Sequence, residues 1–403
     1  MRTMITFLIC FCASMSFAQV QFGQPKLNDL KVDSTIVEAA NRPVFYIPPL
    51  YGKKVGVVAN HTSIMDEGHL VDFLLSEDIQ VQAVFAPEHG FRGDAANGEK
   101  VVSGKDEKTG LTIHSLYGKT KKPTPEMLSG IEVMVFDMQD VGARFYTYLS
   151  TLFYLMEAAA ENGIKVMVLD RPNPNGFYVD GPVLDPELKS FVGIIPIPIV
   201  HGMTLGELAQ MINGEGWLKG GVQCDLKVIK CKNYEHRDLY NLPVAPSPNL
   251  QSMEAVYLYP SLCLFEPTIV SIGRGTEYPF EIYGYPGHKY GSFSFTPVSM
   301  PGKSLHPKYE GERCTGQSLK EFGSFYFQAN KRLYLGWLTA MVEVAEDKDK
   351  FFTSGKFFDK LAGTTALRKQ LKAGVSEKEI RESWEPALSE FKEKRKKYLL
   401  YME

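Results

Sequence analysis

The chain has 403 residues, 44% hydrophobic and 23% charged, with 44 Lys+Arg against 47 Asp+Glu. These are the proportions of a folded globular protein, and the length allows two or three domains at roughly 150 residues each. The formal net charge of −3 supplies no electrostatic reason for a nucleic-acid or anionic-membrane partner.

The chain opens with MRTMITFLICFCASMSFAQ: a basic start at Arg2, an apolar run, then small residues at Ser16 and Ala18 before Gln19. This is the pattern of a cleaved signal peptide over residues 1–18 and predicts an exported, periplasmic product. No later stretch approaches the ~20 consecutive apolar residues of a membrane span. From about residue 53 to 230 short β-branched runs alternate with helical patterns. KVGVVAN (54–60) reads as a strand, HLVDFLLSED (69–78) as an amphipathic helix and VQAVFAP (81–87) as a strand. VMVFDMQDVG (133–142) is a third strand, YLSTLFYLMEAAAENG (148–163) a helix stopped at Gly163, and KVMVLDRPNP (165–174) a fourth strand. The apolar run IPIPIV (195–200), a helix over 204–214 and the strand DLKVIKC (225–231) follow.

Strand–helix–strand repetition with strands apolar throughout predicts an α/β fold, a Rossmann-like parallel sheet over residues 45–262. The first strand runs into VVANHTS rather than GxGxxG, so no dinucleotide cofactor is called for. After about 262 Gly, Pro and Tyr become dense, then helical patterns return, which predicts a smaller α+β C-terminal domain over 263–403 that completes a cleft. The basic run KEKRKKY (392–398) reads as the solvated face of a terminal helix. Cys224, Cys231, Cys263 and Cys314 lack any CxxC spacing, so a structural zinc is not expected and the four are read as unpaired, partly buried thiols.

In open parallel sheets ligands bind beyond the carboxyl ends of the strands, and polar clusters recur there. VVAN leads into Asn60, His61 and Thr62; VFAP into Glu88, His89 and Arg92; VMVFD into Asp137, Gln139, Asp140 and Arg144. VMVLD leads into Asp170, Arg171, Asn173 and Asn175, and IPIV into His201. Any one of these is an ordinary helix cap; five together predict a site. Glu88, flanked by Val84, Phe85 and Phe91, is the candidate general acid, because an apolar surround disfavours the charged carboxyl. His89, a further catalytic candidate, and Arg92, a candidate substrate contact, are read as its orienters. The carboxylates and amides of this set suit sugar hydroxyls, and Arg144 suits a carboxylate, with an ion pair to Asp140 as the alternative. In SIGRGTEYPFE (271–281) the glycines permit close backbone approach and project Arg274 and Glu277, a candidate anion contact and a candidate second carboxylate. No GxSxG, P-loop or HExxH is present, so nothing marks a serine hydrolase, a kinase or a zincin, while a metal held by Asp or His residues at the strand ends stays open.

FAPEHGFRG (85–93), FDMQDVGARFYTY (136–148), DRPNPNG (170–176), IVHGMTLGELAQMINGE (199–215), SPNL (247–250) and LCLFEPTIVSIGRGTEYPFE resemble the bacterial exo-β-N-acetylmuramidases of the NamZ family, long a domain of unknown function. The resemblance covers about residues 50–400 in family order; one departure is Pro267, where the pattern has Gly. It implies a Rossmann-like domain, a smaller C-terminal domain, a cleft between them, and release of terminal N-acetylmuramic acid from the non-reducing end of peptidoglycan fragments. It further implies Glu88 as the leading catalytic residue, with muramyl saccharides as partners. The second role stays open between Glu277, Asp140 and the substrate's own 2-acetamido group. The lactyl carboxylate of muramic acid accounts for Arg144, Arg171 or Arg274 in the pocket. The competing readings are a non-catalytic cell-wall sugar binder and another peptidoglycan-directed hydrolase.

Overall fold

A computed structural model describes residues 36–88, 90–92, 103–320 and 322–403; the expected signal peptide over 1–18 and His89 lie outside them. The first part of the chain runs β1 (Lys54–Ala59), β2 (Ile64–Met65), β3 (Gly68–His69), α1 (Leu70–Ser76), β4 (Gln80–Ala86), β5 (Gly104–Lys105), β6 (Thr112–Ser115), β7 (Val133–Asp137), α2 (Tyr148–Glu161), β8 (Lys165–Leu169), α3 (Leu205–Gly214), β9 (Leu226–Ile229) and α4 (Met253–Leu262). The second part runs β10 (Ile282–Tyr285), β11 (Phe293–Phe295), β12 (Cys314–Ser318), α5 (Gly323–Asn330), α6 (Gly336–Glu343), α7 (Lys348–Phe351), α8 (Gly355–Ala362), α9 (Ala366–Ala373) and α10 (Glu377–Arg395).

The main sheet has the order β5-β6-β4-β1-β7-β8-β9. All neighbours are parallel except β5 and β6. Successive residues of a strand face opposite sides, and the packing follows that period. On β7, Met134 and Phe136 enter one core together with α2 and α3 residues such as Leu152 and Leu208. Val133 and Val135 enter a second core with Leu70, Val71 and Leu74 of α1. Covering both faces is what apolar runs without polar alternation require. It also follows from handedness: β1-α1-β4 moves one way along the sheet and β7-α2-β8 the other, so right-handed crossovers put their helices on opposite faces. The smaller domain holds an antiparallel sheet in the order β10-β12-β11, with α5 to α10 after it.

The strand readings hold for β1, β4, β7, β8 and β9. IPIPIV is corrected: it is buried but forms only isolated bridges, Val200 with Ala143 and with Asp180, because Pro196 and Pro198 have no N–H to give a ladder. The basic terminal run is corrected in part, since Arg395 is buried and its Nη1 donates to Gly202 O at 3.0 Å. The chain moves from β1 to β4 on one side and resumes at β7 on the other. The loops leaving β1 and β7 therefore diverge, and their aligned ends, Ala59 opposite Asp137, open a crevice at the switch point.

Candidate active site

Three strand ends and one helix start build the crevice. Beyond β1, Asn60 is fully buried. Its Oδ1 accepts from Thr62 N (2.9 Å) and Thr62 Oγ1 (2.6 Å), closing the turn, while its Nδ2 donates to Tyr148 Oη at 2.7 Å. His61 Nε2 meets Ala245 O at 2.9 Å, and burial pushes the ring's pKa down. Beyond β4 stands half-buried Glu88. Ala86 of β4 pairs with Ser115 of β6, so the residues that follow leave the sheet side by side, and Tyr117 Oη donates to Glu88 Oε1 at 3.0 Å. Burial and the Glu88 charge both push the Tyr117 phenol upward.

Tyr148 begins α2 and joins these groups. Its hydroxyl accepts from Asn60 and donates to Pro246 O (3.4 Å), and its ring meets that of Tyr146 edge-on at 4.8 Å. Tyr146 Oη also donates to Pro246 O, at 2.7 Å. Burial raises the Tyr148 phenol, and the charges of Glu88 and Asp140 add to the rise, so both carboxyls share its surroundings. Asp140 is 6% exposed. Its Oδ2 accepts the Gly142 N–H at 2.7 Å, whereas Oδ1 has no partner among the described residues. Burial pushes its pKa from 3.8 up to about 7. Gly142 holds φ +78, and a Cβ there would collide with the Asn173 amide, so the turn that aims its N–H at Asp140 requires glycine.

The other predicted residues are held by partners of their own. Asp137 and Arg171 form a buried bidentate pair at 2.5 and 2.9 Å, and Arg171 also donates to Ile64 O. Asp170 accepts from Thr204 Oγ1, Tyr401 Oη and Gly206 N, and burial pushes it up to about 6. Gln139 Nε2 ties Asp140 O to Pro172 O, both at 2.8 Å, and Asn173 Nδ2 donates to Met203 O. His201 is buried, accepts from Met203 N through Nδ1, and lies 3.8 Å from Asp140 Oδ2 through Nε2; burial drives its pKa down to about 3. These side chains brace the loops that form the crevice.

Three expectations need correction. Arg92 does not pair with Glu88: it bridges Asp72 and Asp106 at 3.3 and 2.9 Å, because those carboxylates flank it on both sides. Arg144 neither faces a carboxylate nor pairs with Asp140. Its guanidinium is 1% exposed and donates to three backbone carbonyls, Pro182, Ile197 and Leu361, at 2.7–2.8 Å. Arg274 is held by Glu266 Oε1 at 3.0 and 2.7 Å and lies over the Phe280 ring. Glu277 is exposed on the loop before β10. Tyr117 was not anticipated; its signal is the alternation in LTIHSLYG, too polar to read as a strand end. Tyr146 and Tyr148 act through their hydroxyls, which carry hydrogen bonds to Pro246 O.

Residues 55–254 match the N-terminal domain of the exo-β-N-acetylmuramidase NamZ, and residues 257–401 match its C-terminal domain. The chain is 43% identical over 376 residues to the peptidoglycan β-N-acetylmuramidase NamZ of Bacillus subtilis strain 168, covering 88% of this chain and 89% of that protein. Two crystal structures of DUF1343 family proteins from Bacteroides fragilis superpose on it. One has a TM-score of 0.84 at 44% identity, covering 92% of this chain and all of the other; the second has 0.76 at 29%, covering 91% and 99%. The chain belongs to the exo-β-N-acetylmuramidase NamZ family.

Proposed function

We propose that this protein is an exo-acting glycosidase that releases terminal N-acetylmuramic acid from the non-reducing end of peptidoglycan fragments, with Glu88 as its general acid. The observation that carries the assignment is the half-buried Glu88 carboxyl beyond β4, hydrogen-bonded at 3.0 Å by Tyr117 and sharing the Tyr148 surroundings beside the switch-point crevice. Family membership supports the substrate class. Glu88 gives its proton to the glycosidic oxygen as the bond from C1 breaks, and the leaving sugar departs as the alcohol. Asp140, at 6% exposure, is too enclosed to attack C1. The attack is assigned to water, to the substrate's 2-acetamido oxygen or to a carboxylate such as Glu277; inversion at the anomeric carbon, followed by NMR, marks direct attack by water, and retention marks either of the other two. The smaller domain, 263–403, is read as the wall that closes the pocket at the non-reducing end. The leader over 1–18 is read as a periplasmic export signal, and N-terminal sequencing of the mature protein is expected to begin at Gln19.

The test is hydrolysis of a chromogenic β-N-acetylmuramide by wild type and Glu88→Gln. Loss of a general acid lowers kcat by ~10²–10⁴-fold, and the variant is expected to fall in that range while keeping its KM. Equal activity would move the acid to another carboxyl, and an inactive wild type that still binds the sugar would make the protein a saccharide binder.

A further inference from the structure

β4 and β6 run parallel, and their pairing continues past the last strand residues, with Leu116 N donating to Ala86 O at 2.8 Å. Leu116 enters the main core at 1% exposure, and Tyr117 N donates to Ser115 Oγ at 3.3 Å. These contacts fix where Tyr117 leaves the sheet. On the facing chain Pro87 is buried, and Gly90, at φ +78, donates its N–H to Pro87 O at 3.3 Å. Glu88 stands inside that closed turn. Two anchored segments, 29 residues apart in sequence, thus bring Tyr117 Oη to Glu88 Oε1 at 3.0 Å.

A phenol has one proton to give. Tyr146 and Tyr148, the other phenols of this network, both give theirs to Pro246 O. Tyr117 gives its own to Glu88. Burial and the Glu88 charge push the Tyr117 phenol upward, so its oxygen keeps the proton and the bond runs one way. That bond strengthens during the reaction. Glu88 loses a proton as the glycosidic bond breaks, and a hydrogen bond to an ionised acceptor is about twice as strong as one to a neutral acceptor. An interaction that grows toward the transition state lowers the barrier rather than tightening substrate binding.

We propose that Tyr117 is the positioning residue of the general acid: its O–H fixes the rotation of the Glu88 carboxyl and stabilises the charge left there as the proton passes to the leaving oxygen. The assignment rests on Glu88 being that acid. The transferred proton is that of Glu88. Tyr117 retains its own, and the electron pair of the broken C1–oxygen bond leaves with the sugar alcohol. Tyr117→Phe keeps the ring and removes the hydroxyl. It is compared with wild type on two substrates: a muramyl disaccharide, whose leaving group is a sugar alcohol, and a chromogenic β-N-acetylmuramide, whose phenol is a better leaving group. Melting temperature verifies that the variant folds.

On the disaccharide, kcat is expected to fall at least ~10-fold, the scale of a lost hydrogen bond to a charged group, with KM within about twofold of wild type. On the chromogenic substrate the loss is expected to be at least ~3-fold smaller, because its leaving group needs less proton donation. In the Glu88→Gln background, followed on the chromogenic substrate, Tyr117→Phe is expected to cost nothing further, as for residues that act as a unit. Equal losses on the two substrates, a loss confined to KM, or a loss that adds in full to that of Glu88→Gln would make Tyr117 a packing residue and overturn the proposal. So would an unchanged kcat on the disaccharide. If Glu88→Gln is inactive while Tyr117→Phe is unimpaired, only the role of Tyr117 is lost; if Glu88→Gln keeps full activity on both substrates, the catalytic assignment falls and this one with it.

Discussion

A single carboxyl shows how burial rather than sequence position sets chemistry here. Asp140 and Asp137 stand three residues apart, yet Asp137 meets a guanidinium with both oxygens and Asp140 meets one backbone N–H. Burial without a cation holds the Asp140 pKa near 7, above its ordinary 3.8, so the folded chain binds a proton that the unfolded chain releases. Its contribution to stability is complete below about pH 3.8 and is lost as pH rises through 7. Asp140→Asn is neutral at every pH and removes this dependence. Measured by urea unfolding, the stability of Asp140→Asn relative to wild type is expected to improve by up to ~4 kcal/mol between about pH 4 and pH 8, at about 1.4 kcal/mol per pKa unit. A flat difference would mean that Asp140 is ionised in the folded protein throughout. The residue types at this site were legible in the sequence; their partners were not. Arg92, Arg171 and Arg274 read as ligand contacts because a guanidinium after a strand suits an anion. Each is instead matched by an acid that the fold delivers from elsewhere: Asp106 from 14 residues away, Asp137 from 34, Glu266 from eight.

Elements carry the site only where their ends are tied, and β8 and α3 show how. Thr204 caps α3 by accepting from Glu207 N at 3.2 Å, and Glu207 returns the bond to Thr204 N at 2.9 Å. The same threonine hydroxyl donates to Asp170 Oδ2 at 2.7 Å, so the start of α3 is fastened to the end of β8. Removing a helix cap costs ~1–2 kcal/mol, and Thr204→Ala also withdraws a donor from a buried carboxyl, which adds to the loss. Thr204→Ala is expected to lose at least ~2 kcal/mol in urea unfolding and Thr204→Ser less than ~1. Equal losses would make the threonine methyl, not its hydroxyl, the fastening. The helix over 204–214 was visible in the sequence, and β1, β4, β7 and β8 were visible as apolar runs. β6 was not, because its TIHS segment is half exposed and never forms such a run. That one strand, between β5 and β4, brings Tyr117 to Glu88, so missing it hid the hydrogen bond that marks the candidate acid.

On the scale of the molecule, the parallel sheet and the C-terminal helices are joined through the core at Arg144. It leaves the loop after β7 and donates to Pro182 O and Ile197 O within the first domain and to Leu361 O in α8. Gly363, at φ +78, lies against the guanidinium, and a Cβ there would overlap it. Burial without a carboxylate pulls the Arg144 pKa from 12.5 down to about 9. Its stabilising role therefore rests on the carbonyls it satisfies, each of which costs ~1–3 kcal/mol if left buried and unpaired. Arg144→Met keeps the volume and withdraws its donors from Pro182 O and Leu361 O, while Ile197 O keeps the Leu184 N–H. It is expected to lose at least ~2 kcal/mol in urea unfolding, with KM for a chromogenic muramide within about twofold of wild type. Arg144→Lys supplies one donor where a fork is needed and is expected to recover only part of the loss. The opposite split, a tenfold rise in KM with stability intact, would return Arg144 to the substrate's carboxylate and require the buried guanidinium to turn outward when sugar binds.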